Sequence, residues 1–198
     1  LNLPITPITD LRIHQNDLIA ATSGRSFWIL DDLTLIRQYK PASEFHLFQP
    51  EDVILANGGS QMDGQSDGTN PYVGVNPATG VVLYYSLPEL KANEHIQLDI
   101  KDANGNLVRT FSSLRDSLFQ EHAGGPPAEP VLTKEKGINR FVWNLRYPTI
   151  SGITGTYMEA SFRGHKASPG KYSAVLISGA QKLSVNFQIL PNPLYAAD

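Results

Sequence analysis

The sequence has no cysteine at all. Disulfide staples, thiolate metal sites and cysteine nucleophiles are therefore excluded. Charge is also scarce. Asp, Glu, Lys and Arg make up 18% of the 198 residues, and the net charge is only −3, against about 25% charged residues in an average domain. A polyelectrolyte tail needs more charge than this, and apolar content is too normal for a disordered one. A pI near 5.9 lacks the basic excess that holds a nucleic-acid backbone. No apolar run approaches the roughly 18 residues of a membrane-spanning helix. There is no Gly-x-Ser-x-Gly nucleophile elbow, no phosphate-binding loop and no His-Glu-x-x-His pair. His14, His46, His95, His122 and His165 are scattered, with no two at helical ligand spacing. No cofactor or metal is expected.

What the chain does have is turns. Sixteen glycines and fourteen prolines punctuate short apolar segments, the pattern of many short strands joined tightly. The chain opens Leu1-Asn2-Leu3-Pro4, with neither an initiator methionine nor a leader pattern. It reads as a fragment or a processed product.

Charge divides unevenly. Residues 1–80 hold four basic and nine acidic residues, a net of −5; residues 81–198 hold twelve and ten, a net of +2. The change coincides with a Gly/Asn/Asp/Ser/Pro-rich stretch over 56–80 that lacks hydrophobic periodicity. Long stretches of that kind are uncommon inside one compact domain. The pattern predicts three parts: a first region over 1–50, a linker over 51–80 and a second domain over 81–193.

In the first region, Leu11 and Ile13 alternate with Arg12 and His14 as in a half-buried strand. Turn residues separate 18–22 and 26–30, two further short strands, and Asp31 or Asp32 then caps a helical turn over 33–38. Such a sheet has too little core to stand alone. In the second domain, Ile96, Leu98 and Ile100 alternate inward, Asn104-Gly105 marks a hairpin, and Phe141, Trp143 and Leu145 share one face. Pro169-Gly170 turns into an inward Tyr172, and 183–190 forms the last strand. Arg115–Glu121 is read as a short helix inside an extended loop over 112–137, and 149–166 as a long hairpin or an irregular loop. Turn spacing of this kind predicts a β-sandwich.

The stretch ATSGRSFWILDDLTLIRQ (21–38) resembles the closing blade of bacterial sortilin-like, BNR-repeat β-propeller proteins, many of them labelled glycosyl hydrolases. Ala21, Thr22, Gly24, Arg25, Trp28, Ile29, Leu30, Asp31 and Asp32 match that family's pattern. The Asp-box itself is missing, and Ser66-Asp67-Gly68-Thr69 echoes it with the wrong spacing. Downstream, NPATGVVLYYSL (76–87), DANGNLVRTF (102–111), GINRFVWNLRYP (137–148) and SPGKYSAVLISG (168–179) are similar to the module that follows such propellers. Their Gly-x-Asn-x-Phe-x-Trp and Pro-Gly-x-Tyr elements also resemble the Ig/fibronectin-like module of flagellar hook-capping proteins. The resemblance covers roughly 11–48 and 76–193. It implies an all-β chain, an Ig/fibronectin-III-like β-sandwich preceded by a truncated propeller blade. It further implies a secreted or periplasmic parent whose upstream propeller is the first partner.

Few residues invite chemistry. A glycosidase needs paired carboxylates. Asp31 and Asp32 are adjacent, which on a strand end turns them to opposite sides, and capping accounts for one. Arg25 suits a bidentate anion contact or, more plainly, a buried turn pair with Asp31 or Asp32. Asp63 and Asp67 supply oxygen ligands without calcium-loop spacing. Tyr84 and Tyr85 face opposite ways on one strand, leaving one ring to stack on a sugar. Trp143 and Tyr172 read as core. The binding candidates are thus Arg25, Asp31, Asp32, Tyr84 and Tyr85, with no catalytic set. The expected function is a non-catalytic accessory module that packs on or spaces the propeller. The alternatives are a fragment of a glycoside hydrolase and a carbohydrate- or protein-binding module.

Overall fold

A computed structural model describes residues 5–39, 44–55, 78–153, 155–157, 159 and 161–194. Among the described residues the secondary structure is β apart from one short helix, and the chain forms two compact units, Leu1–Pro41 and Ala42–Asp198.

The first unit contains β1 (Ile8–His14), β2 (Asp17–Thr22) and β3 (Phe27–Leu30), an antiparallel sheet in the order β1-β2-β3, followed by α1 (Thr34–Gln38). Its three strands and helical turn lie where the alternation and turn residues put them. Register places Leu11, Ala20 and Trp28 in one row and Ile13, Leu18 and Leu30 in the next, on the same face. The other face carries the rows Arg12-Ile19-Ile29 and Asp10-Ala21-Phe27. Both faces are therefore apolar in part. Among the unit's described residues, only Ala20 and Leu33 are buried hydrophobics.

The second unit holds β4 (His46–Leu47), β5 (Val53–Ile54), β6 (Val81–Leu87), β7 (Ile96–Asp102), β8 (Leu107–Ser112), β9 (Gly137–Trp143), β10 (Gly170–Ser178) and β11 (Gln181–Leu190). Five strands form a sheet in the order β5-β11-β10-β7-β8; three form another in the order β4-β6-β9. All pairings are antiparallel except β5 with β11. The two layers share one core. Leu83, Tyr85, Phe141 and Trp143 come from the smaller sheet, and Leu98, Ile100, Leu176 and Phe187 from the larger. Trp143 is fully buried. Its ring lies 5.7 Å from Tyr172 and 6.1 Å from Phe187, within the range where aromatic edges and faces attract. The inward alternation of β7 and β9 agrees with the sequence pattern.

Three local features differ from it. First, the pattern assigned 46–50 to the blade region and 51–54 to the linker. β4 and β5 instead pair with β6 and β11, inside the second unit. Two-residue strands carry no period to read. Second, no helix forms at Arg115–Glu121; Asp116 Oδ1 accepts the Leu118 N–H at 2.9 Å and turns the chain. Third, Leu145 does not continue the strand. It sits buried at φ +57° just beyond β9, an uncommon conformation for a residue with a side chain. The Trp143 indole N–H donates to the Arg146 carbonyl at 2.9 Å and closes that corner. Gly80 is squeezed against the same corner: a Cβ there would lie 2.1 Å from the Trp143 carbonyl oxygen. Glycine is needed at position 80 because backbone meets backbone there.

Candidate functional site

Arg25 lies in the β2–β3 turn and is exposed. Its N–H donates to Thr22 Oγ1 at 3.2 Å and its carbonyl accepts the Trp28 indole N–H at 2.8 Å. The buried ion pair expected with Asp31 or Asp32 is not formed; among the described residues the guanidinium pairs with neither. The motif residues Arg25 and Trp28 meet through backbone, which shapes the turn and leaves the charge in solvent.

Asp31 and Asp32 take different parts. Asp32 sits at φ +57°. Its Oδ1 accepts the Thr34 N–H at 2.9 Å and the Asn16 amide at 3.3 Å, so it holds the first N–H of the helical turn from outside; the N-cap position is Leu33, which makes no side-chain cap bond. Its own N–H donates to Asp17 Oδ1 at 3.1 Å. Asp31 is exposed. Partial burial pushes its carboxyl upward, and the negative charges of Asp17 and Asp32 push it further.

Tyr84 and Tyr85 point to opposite sides of β6, as a strand requires. Tyr85 is fully buried in the core, and its hydroxyl donates to the Thr133 carbonyl at 2.6 Å. Burial raises its hydroxyl pKa, with the Thr133 hydrogen bond opposing. It is not free to stack on a ligand. Tyr84 is half-buried on the outer face, opposite Arg140. Asp63 and Asp67 lie outside the described residues.

The second unit carries a cavity of about 560 Å³ lined in part by Asp52, Asp102, Lys171, Tyr172 and Gln188. Two carboxylates at one cavity invite a glycosidase reading. Their hydrogen bonds assign them elsewhere. Asp52 Oδ1 accepts the Gln188 N–H at 2.7 Å, anchoring the chain beside β11. Asp102 accepts the Asn104 and Asn106 N–H groups at 2.9 and 2.8 Å and the Asn106 amide at 2.9 Å. Those bonds, the Asn106 side chain foremost, hold its carboxyl below the ordinary range. A group stabilised as the anion is badly placed to donate a proton. Tyr172 and Phe187, the aromatics at this cavity, are core residues.

The most elaborate polar arrangement involves residues that the sequence did not single out. Arg109 on β8 is 5% exposed. Its guanidinium pairs with Glu129 and donates to the Arg146 and Tyr147 carbonyls, each at 3.2 Å. Its Cζ lies 4.8 Å from the Phe111 ring centroid. Glu129 also accepts the Thr149 N–H at 3.2 Å. Burial would raise the Glu129 carboxyl pKa. The hydrogen bonds from Thr149 and Arg109, with the Arg109 charge, outweigh it and hold the group low.

Comparison with known proteins adds no identity: no family model, no curated protein and no solved structure matches the chain.

Proposed function

We propose that the chain is a non-catalytic accessory piece of a β-propeller protein of the BNR-repeat, sortilin-like kind. In this reading an Ig/fibronectin-like two-layer unit follows the last, incomplete blade and packs on or spaces the propeller. Export from the cell belongs to the same reading and rests on the family resemblance alone.

The observation that carries it is the state of the first unit. Its sheet has three strands, and neither β1 nor β3 has a second neighbour among the described residues. Its faces expose Leu11 and Ile13 on one side and Phe27 and Ile29 on the other, each more than half accessible. Open edges and uncovered apolar faces are liabilities that a finished sheet avoids. A propeller blade needs both: an edge to be completed, and two faces for its neighbours. The engagement of Asp32, Asp52 and Asp102 in backbone hydrogen bonds supports the non-catalytic part.

Hydrogen exchange on the 198-residue chain tests the reading. The β1–β3 amides are expected to exchange at least about a thousand-fold faster than those of β7, β10 and β11, the gap between a frayed sheet and a sheet opened only by global unfolding. A monomeric chain in which β1–β3 is as protected as β10 would sink the incomplete-blade reading.

A further inference from the structure

Two excursions leave the second unit between strands, one over 113–131 and one described over 145–153, 155–157, 159 and 161–167. Each is closed at its feet. Ser112 and Val131 form an isolated parallel bridge, and the Leu132 N–H donates to the Ser112 carbonyl at 2.9 Å. In the second, Ala167 N–H donates to the Leu145 carbonyl at 2.7 Å, Tyr147 N–H to His165 at 3.0 Å and Ile150 N–H to Phe162 at 2.8 Å. Further out the two touch: a Cβ on Gly152 would lie 2.8 Å from Pro126 Cδ.

Arg109 sits where the feet meet. It holds the second excursion by the carbonyls of residues 146 and 147 and the first by the Glu129 carboxylate, and Glu129 in turn holds the Thr149 N–H. A buried guanidinium requires its acceptors, because an uncompensated charge in the core is strongly unfavourable. Here most come from the two excursions, with Asn144 Oδ1 at 3.5 Å beside them, and Nε is already without a partner among the described residues. Lifting the first excursion removes the counter-charge. Lifting the second removes two carbonyls and frees one Glu129 oxygen. Both movements break the bond between the Thr149 N–H and Glu129, and each strips part of the acceptor set from the buried guanidinium.

We propose that Arg109 and Glu129 form one latch that makes the two excursions open and close as a single unit. In the latched state Leu118 on one excursion and Ile153 and Tyr157 on the other are exposed.

The test is hydrogen exchange on the full chain and its Glu129→Gln variant, which keeps the shape and removes the charge at a half-exposed position. Exchange is expected to rise about tenfold, the factor set by losing about 1.4 kcal/mol of local protection. The rise should be equal in 114–128 and 148–153, with β10 and β11 unchanged. Acceleration of one excursion alone, of neither, or of the whole unit equally would overturn the proposal. Trypsin gives a second readout, since the first excursion carries Arg115 and the second Arg163, both exposed. Nicking at the two sites should accelerate by the same factor in the variant, and divergent factors count against a shared latch.

Discussion

The two units are written in the same alphabet, short alternating strands joined by tight turns, but they bury different amounts of it. In the second, Ile96, Leu98 and Ile100 on β7 meet Phe141 and Trp143 on β9 across a shared core, and all five are buried. In the first, Leu11, Ile13, Phe27 and Ile29 alternate just as regularly and all remain exposed. Alternation fixes which residues share a face. Burial needs a second layer for that face to meet. The second unit contains both layers, whereas the first has one sheet and a five-residue helix. The contrast separates what a local pattern can specify from what only packing supplies.

Trp143→Ala should have the largest effect and strike the second unit only. Removing a fully buried indole from a ring cluster costs about 3–5 kcal/mol. No described residue of the first unit belongs to the core cluster that holds Trp143. Thermal or urea unfolding followed by circular dichroism should therefore show a much less stable second unit. Trp28, then the single tryptophan left, should keep its emission maximum in native buffer. A shift of Trp28 emission in the variant would show that the contrast between the units is drawn too sharply.

Much of this architecture was legible. The Asn104-Gly105 hairpin, the inward residues of β7 and β9 and the three strands of the first unit all follow from period and turn chemistry, because each is decided within a few residues. Illegible features depend on partners far along the chain. β4 and β5 are strands only because β6 and β11 lie beside them. Arg109 reads as an outward residue beside Val108, yet both are buried. A register shift between Ile100 and Lys101 where β7 pairs with β8 breaks the alternation. Its partner Glu129 lies twenty residues on, in a segment without periodicity. Among the candidate site residues, the place of Asp32 just before a helical turn was readable, but the N-cap itself fell one residue later, on Leu33. The burial of Tyr85 was not readable, because β6 alone does not say which of its faces meets the other sheet.

A smaller and more local effect is expected on acidification. The Glu129 carboxyl is held below its ordinary value of 4.5. Its contribution is therefore fully present above that value and is lost as pH falls through the lowered one. The excursions should open over that acid range while β10 and β11 still resist exchange. Asp102, also held low, titrates in the same direction at the hairpin of β7 and β8. The Glu129→Gln variant separates the two, because the pH response of 114–128 and 148–153 should vanish in it and that of the hairpin should remain. A wild-type chain whose excursions are indifferent to pH down to the unfolding of the sheets would deny Glu129 its distinct part in the second unit.

The smallest effect should come from Phe27→Ser. Phe27 is a large aromatic in a strand, 74% exposed, so truncating it removes little buried area in this chain. Surface changes of that kind fall within about 0.5 kcal/mol. A core phenylalanine such as Phe141, 8% exposed, would cost about 3–5 kcal/mol on truncation to Ala. The near-silence at Phe27 is informative because it should be conditional. If the face carrying Phe27 and Ile29 is covered by a neighbouring blade, the same substitution in a chain extended by upstream blades should destabilise the assembled protein by about 1–3 kcal/mol, the price of a large apolar side chain fully withdrawn from water. Equal insensitivity in both contexts would mean that this face is solvent-facing by nature, and the first unit would have to be explained without a propeller.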